Sequence, residues 1–454
     1  MLINYITFGV YLIILGFITY YSVRNKHADD FLFASHNVKW NVLSLSIFSS
    51  IISSYNVVVT LTFSYLFGFY VLIIYLGILA AFIGIYYIAK KDYENIKKLR
   101  YGNIIDFLSH KFDSKTTTVF NLSFIIILFL FIIFQFFINT TIFSELMGWN
   151  KYISSIVVGL IVLTYMTIGG LKTGIYTDVF QGILMFFIVA LVFMVDFTSI
   201  SSQTVLSMLT DKTILLGSIS LAVTQFLTLL VQPEIWQKVI SSRSLGDLKK
   251  GLTISWIMIS LFIIPMIIIG LSARASLESV NPATLFYDVV AASSPEWFMP
   301  FLVIALFAAF MSTLDSSLFA LTSQLGKYGF VVNSNEIRIN DTTQYKVLIK
   351  NTRLSIFIVT VLALILSLFL VDFLAAVFGL ISLLTVISVV ILCSLIFKMT
   401  SNQTFIASLV AIIVFLIALF GGFITNEPYT ALYPSMILFG YIVVQKLLLQ
   451  LINR

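Results

Sequence analysis

Apolar runs, each about as long as one membrane crossing, recur along this whole 454-residue chain. A hydrocarbon core of about 30 Å takes roughly 20 apolar residues of helix to cross, whereas a barrel strand needs about 10. Lipid offers backbone N–H and C=O groups no water, so only helices and closed barrels span it. Runs of this length therefore predict a helical bundle. They place about thirteen spans, at 2–22, 41–67, 70–89, 119–146, 152–171, 175–196, 214–240, 252–273, 298–325, 352–371, 373–397, 403–424 and 429–449, numbered here zero to twelve. Composition agrees: 10% of residues are charged, against about 25% in a soluble domain. The expected fold class is all-α and polytopic, in a single transmembrane domain over 1–454. No connection is long enough for a soluble catalytic or sensor domain, so an enzyme is not expected.

Leu2–Tyr21 has the position of a signal peptide. No positive residue precedes it and no small-residue cleavage site follows, so it reads as a retained helix. Cys393 is the lone cysteine and lies in an apolar run, which rules out an intrachain disulfide. His27, His36 and His110 fall in polar connections, which argues against a buried histidine metal site or proton relay.

A net charge of +6 invites a nucleic-acid reading, but the distribution speaks for orientation. With the N-terminus outside, all 26 lysines and arginines except Lys151, Lys212 and Arg274 lie on the cytoplasmic side. This is the positive-inside bias of membrane proteins. It predicts a plasma-membrane protein with a cytoplasmic C-terminus, the lipid bilayer as surroundings and no nucleic-acid partner. The basic connections 90–118 and 326–351 are expected to hold short amphipathic or unstructured pieces.

Inside a membrane the informative residues are polar, because a mid-bilayer charge costs at least about 2.5–3.5 kcal/mol. Span one carries Ser46, Ser49, Ser50 and Ser53 at i, i+3, i+4, i+7, followed by Ser54, Tyr55 and Asn56. Such a face can be a packing surface. Its serines and asparagine also compete for backbone hydrogen bonds, which suits a local break. Span eight carries Ala309, Ser312, Thr313 and Ser316 at the same spacing, with Asp315 beside them. Hydroxyls and a carboxylate on one strip are oxygen ligands, which hard cations take, so an alkali ion fits better than a transition metal. Asp178, in the first turns of span five, is either a helix N-terminal acid or part of a site. In span six, Pro233 predicts a break, and Glu234 and Lys238, four residues apart, are expected to pair. Interruptions in corresponding spans of two halves point to a transporter binding site, and spans one and six stand five apart.

Four stretches, in order and on matching spans, resemble the sodium/solute symporter family. Gly169-Gly170-Leu171-Lys172-Thr173-Gly174-Ile175-Tyr176-Thr177-Asp178-Val179-Phe180-Gln181 is similar to its signature. Ala308 to Ser316 resembles its span-eight motif, Asp29 to Ala34 its first cytoplasmic loop, and Gln232 to Lys238 its span-six segment. The resemblance implies the leucine-transporter type of 5+5 inverted repeat, with broken helices one and six. The core would cover 41–397, with an extra helix at 1–22 before it and two at 403–449 after it. It implies sodium coupling and a main sodium site from the carbonyls of Ser49, Ile52 and Ala309 and the hydroxyls of Ser312 and Thr313. A second site, as in sialic acid transporters, would draw on Asp178, Ser312 and Ser316. Asp315 stands where those transporters have serine, which leaves a second sodium, a proton on Asp315 or no second ion all open.

The expected activity is sodium-coupled import of a small organic solute by alternating access. The solute would sit near Ser53, Ser54 and Asn56 of span one and Gln232 of span six. A sugar, an amino acid or an organic acid all remain open. Span three has no lysine or arginine between Phe120 and Glu145, where sialic acid transporters place an arginine, so a neutral or zwitterionic solute is favoured. A proton-coupled transporter of the same fold and an ion channel are the alternatives.

Overall fold

The computed structural model describes residues 2–24, 28–195, 200–276, 284–332, 342–370, 373–425 and 427–452. Their regular structure is helical, with an isolated bridge between Val38 and Ser242 as the exception. The helices, in chain order, are α1 (Leu2–Val23), α2 (Ala28–Phe33), α3 (Trp40–Ile51), α4 (Ser54–Phe67), α5 (Val71–Lys98), α6 (Ile104–Lys111), α7 (Ser114–Met147), α8 (Lys151–Ala190) and α9 (Ser202–Thr210). They continue with α10 (Lys212–Val231), α11 (Pro233–Ser241), α12 (Leu245–Ser276), α13 (Leu285–Ser293), α14 (Met299–Tyr328), α15 (Thr342–Ser367), α16 (Phe373–Ile396), α17 (Ser401–Phe420) and α18 (Tyr433–Ile452).

Eleven stretches among the described residues are long and apolar enough to cross a membrane, and the protein is an integral membrane protein. Two of them, Asn56–Lys98 and Lys151–Met194, have 43 and 44 residues. At 1.5 Å per residue each would measure about 65 Å if straight, roughly twice the hydrocarbon core. Both are bent. The first turns at a 3-10 segment, Gly68–Tyr70. The second turns at Gly170, whose φ of 67° and ψ of −160° lie outside the helical region. The expected spans 152–171 and 175–196 thus lie as two helical halves of α8, and the break between them falls at Gly170 itself and not at 172–174.

Gly170 explains the paired glycines of the signature. Its φ/ψ values are accessible essentially only to glycine, and a Cβ there would lie 2.6 Å from the Phe31 backbone oxygen. The close approach docks α2 on the bend. Lys172 Nζ donates to Asp30 Oδ2 at 2.9 Å, and Ser35 Oγ donates to Asp30 Oδ1 at 2.5 Å. Another close crossing joins α5 to α10, where a Cβ on Gly77 would lie 2.1 Å from the Ala222 carbonyl oxygen.

Helix termini follow ordinary capping rules. Asp113 caps α7 by accepting from Thr116 N at 3.0 Å, and Gly148 ends that helix in the left-handed region. Thr400 and Gln403 form a capping box at the start of α17, which satisfies two otherwise orphan N–H groups. The connection 90–118 holds the expected short helix, α6. Residues 333–341 of the connection 326–351 lie outside the described residues, as does His27.

α14 is the most enclosed of the long helices, with α1, α7, α8 and α15 packed around it. A second group gathers α3, α4 and α5 with α10 and α12: α12 lies along α3 and α4, and α10 along α5. α3 also meets α8 and α14. The polar residues singled out in the sequence lie along this seam.

Candidate functional site

α3 stops at Ile51, and α4 begins at Ser54. Between them Ile52 adopts φ −84°, ψ 70°, and Ser53 is extended. A helix end leaves its last carbonyls without intrahelical donors. Here the Phe48 carbonyl keeps Ile52 N at 2.9 Å, and the Ile51 carbonyl accepts from Asn56 Nδ2. The two carbonyls between them are met from α14. Ser312 Oγ donates to Ser49 O at 2.9 Å, and Thr313 Oγ1 donates to Ser50 O at 3.1 Å. Ser312 Oγ also lies 3.1 Å from its own-helix carbonyl, Ala309 O. Ser49, Ser50, Ala309, Ser312 and Thr313 are all at most 2% exposed. Of the residues expected at the main sodium site, the structure brings Ser49, Ala309 and Ser312 into direct contact. Thr313 joins through the Ser50 carbonyl, and Ile52 marks the break.

The second group is organised by a residue that sequence reasoning assigned elsewhere. Lys238 was expected to pair with Glu234 one turn away. Instead its ammonium donates to Asp178 Oδ2 at 2.7 Å, to Ser46 O at 2.8 Å and to Ser50 Oγ. Ser46 Oγ also donates to Asp178 Oδ2, at 2.6 Å. The reason for the correction is burial: Asp178 is completely enclosed within α8, and a buried charge needs a partner more than a helix-terminal acid does. Asp178 is therefore no N-terminal cap. Ser50 Oγ continues the chain to Ser316 Oγ at 3.2 Å, and Ser316 Oγ donates to Ser312 O at 2.8 Å. Asp315 Oδ2 accepts from Tyr165 OH at 2.9 Å. Ser312, Asp315 and Ser316 thus share one strip of α14, and Asp178 reaches it through Lys238 and Ser50.

The other break falls where Pro233 predicts it. α10 ends at Val231, Gln232 is extended, and Pro233 opens α11. Pro suits that position because it lacks an N–H that would be orphaned anyway. The two breaks face each other across a cavity of about 70 Å³. Its polar lining is Asn56, Gln225, Thr228, Gln232 and Glu234. Residues of α7 and α16, among them Phe131 and Leu380, form an apolar wall. Asn56 and Gln232 of the expected solute residues line this cavity. Ser53 does not line it: it is buried, and its hydroxyl caps α4 by accepting from Asn56 N at 2.9 Å. The Ser54 side chain lies outside the described residues.

A membrane bundle with two interrupted helices facing each other at a polar cavity has the build of a secondary transporter. The chain belongs to the sodium:solute symporter family, whose model (SSF: Sodium:solute symporter family) matches residues 31–410. Sodium-coupled symport is its class of activity, with sodium as the coupling ion. It is 27% identical to sodium/proline symporter 2 of Staphylococcus saprophyticus subsp. saprophyticus, over 80% of this chain and 74% of the relative. The substrate-bound outward-open structure of a Na+-coupled sialic acid symporter superposes with a TM-score of 0.75 at 18% identity, covering 98% of both chains. That likeness shows a shared leucine-transporter-type fold.

Proposed function

We propose that this protein imports a small organic solute, driven by sodium bound between α3 and α14. The observation that carries this reading is the α3 break, where backbone carbonyls and α14 hydroxyls of Ser49, Ser50, Ala309, Ser312 and Thr313 converge. These are oxygen donors, the kind a hard cation accepts. Sodium would take the place of the hydroxyl-to-carbonyl hydrogen bonds, with the hydroxyls turning their lone pairs to the ion, so ion binding and the packing of α3 on α14 are linked. Ile52, at the break, supplies a further carbonyl. The solute binds in the cavity between the breaks, beside Asn56 and Gln232.

In this reading one sodium is carried per cycle. Lys238 holds a tethered positive charge among Asp178, Ser46 and Ser50, the place a second cation would take next to Ser312, Asp315 and Ser316. Asp315, hydrogen-bonded to Tyr165, serves the packing of α8 on α14.

The inverted-repeat core over 41–397, with helices 1–22 and 403–449 outside it, belongs to the same proposal. So does the orientation, with the N-terminus outside and the C-terminus cytoplasmic. Alternating access requires the ion to favour one state, because a ligand shifts an equilibrium only by its differential affinity. One charge moving inward across 100 mV contributes about 2.3 kcal/mol. The proline of the Staphylococcus relative's name is a small zwitterion, within the solute classes kept open here. An acidic sugar is disfavoured, since α7 carries no lysine or arginine between Phe120 and Glu145.

The test is uptake into proteoliposomes under an imposed sodium gradient, over a panel of sugars, amino acids and organic acids. Saturable uptake that collapses when the gradient is dissipated supports the reading. Uptake indifferent to sodium refutes it, and sodium current without a saturable solute would favour a channel.

A further inference from the structure

Glu234 is the one charged side chain lining the cavity between the breaks among the described residues. It sits at the second position of α11 and is 1% exposed. Its Oε1 accepts from Gln232 Nε2 at 2.5 Å and from Ser317 Oγ at 3.4 Å. Its Oε2 is buried and has no hydrogen-bond partner among the described residues. An acid in the first turn of a helix ordinarily complements the helix dipole, which a solvated side chain does equally well. Burial with an unengaged oxygen is different, because such an atom costs about 1–3 kcal/mol, and more when charged. A donor arriving with a ligand offsets that penalty.

The surroundings narrow the donor. Lys238, one turn along the same helix, has its ammonium hydrogen-bonded to Asp178, Ser46 and Ser50. The remaining polar lining is neutral: Asn56, Gln225, Thr228 and Gln232. An anionic solute would face the carboxylate with no cation to balance it. A neutral polyol would supply donors and leave the buried charge uncompensated. An ammonium group supplies positive charge and, where it carries N–H, donors as well. The apolar wall accepts its carbon skeleton, and the amides of Asn56, Gln225 and Gln232 can donate to a carboxylate at its other end.

We propose that Glu234 determines solute specificity and that the solute is a small ammonium compound, cationic or zwitterionic, with its nitrogen against Glu234 Oε2. This rests on the reading of the cavity as the solute site.

The full-length protein in proteoliposomes, with an inward sodium gradient, is assayed with choline, glycine betaine and L-proline as ammonium probes. D-glucose and L-lactate are the neutral and anionic probes. The sodium-induced rise in unfolding temperature of the detergent-solubilised protein is measured in parallel. The expected result is sodium-driven uptake of at least one ammonium probe and of neither D-glucose nor L-lactate. The Glu234→Gln variant should raise the half-saturating concentration of that probe at least tenfold while keeping the sodium-induced rise. A wild-type protein that responds to sodium but takes up no ammonium probe overturns the proposal. So does sodium-driven uptake of D-glucose or L-lactate, or unchanged half-saturation in E234Q. The wild-type panel decides on its own where the variant does not fold. Absence of any sodium response in the wild type instead removes the sodium-coupled reading beneath it.

Discussion

Replacing Lys238 with methionine removes the ammonium and keeps most of the side chain's length and bulk. The pair it breaks is 2.7 Å long, with side-chain exposures of 2% for Lys238 and 0% for Asp178. Asp178 then keeps Ser46 Oγ alone, while the Ser46 carbonyl and the Ser50 hydroxyl each lose a contact. Removing one partner of a buried ion pair destabilises a protein by about 3–5 kcal/mol, because the other charge is left uncompensated. If the ammonium stands in for a second cation, sodium can enter where it was. The donors left behind are a carboxylate, a carbonyl and a hydroxyl, all oxygen. Sodium at 100 times its dissociation constant would restore about 2.7 kcal/mol, most of the loss. The assay is thermal unfolding of purified protein, with sodium chloride exchanged against potassium chloride at constant ionic strength. Lys238→Met should be strongly destabilised without sodium and largely recovered with it. Its sodium titration should steepen, from a Hill coefficient of about 1 toward 2, the number of sites being the ceiling. The double variant Asp178→Asn/Lys238→Met should recover stability without sodium, since both charges of the pair are gone. The reasoning fails if Lys238→Met matches the parent in sodium-free buffer, or if sodium neither rescues it nor steepens the titration.

Thr313→Ala should raise the half-saturating sodium concentration for uptake about tenfold, equivalent to about 1.4 kcal/mol, whereas Thr313→Ser should not; equal behaviour of the two would remove the hydroxyl from the ion site. Tyr165→Phe leaves Asp315 Oδ2 without its 2.9 Å donor and should lower stability by about 1–3 kcal/mol, read as a fall in unfolding temperature. Gly170→Ala forces a side chain into a backbone region that costs about 1–3 kcal/mol and against the Phe31 carbonyl oxygen. It should sharply reduce folded protein in membranes, and wild-type yield would contradict the docking argument.

Both helix breaks were legible in the sequence, because each has a local cause. Pro233 cannot donate to the preceding turn, and Ser53 and Asn56 bond to the backbone around them and so stabilise an interruption. The site was legible only in part. The serine face of span one was visible as periodicity, yet its members do three separate jobs. Ser46 and Ser50 hold Lys238 and Asp178, Ser49 offers its carbonyl to Ser312, and Ser53 caps α4. Periodicity says which residues share a face; it does not say where the helix stops, and the stop at Ile51 is what separates their roles. The Lys238–Asp178 pair was hidden because the two residues are 60 apart in sequence, while Glu234 stood conveniently one turn away. Burial decided between the two carboxylates, and burial is a property of the assembled bundle. Glu234 was missed for the same reason: paired in the sequence reading, it proves to line the cavity instead. The bend in α8 was legible as the short gap between spans 152–171 and 175–196, but Gly-Gly does not reveal that the break falls at Gly170 alone and that helix resumes at once.

The hydroxyls of Ser312 and Thr313 bear on how fast such a carrier can turn over. They already satisfy the Ser49 and Ser50 carbonyls, so a sodium ion at the site proposed above would have to compete with two internal hydrogen bonds. At about 0.5–1.5 kcal/mol each, these weaken ion affinity by roughly one to two decades. Such a site fills only where sodium is plentiful. On the sodium-poor side of the proposed site the same hydroxyls would swing back onto the carbonyls and help to expel the ion. In the proposed site the protein would carry its own leaving agent, and the affinity given up outside would return as a quicker discharge within.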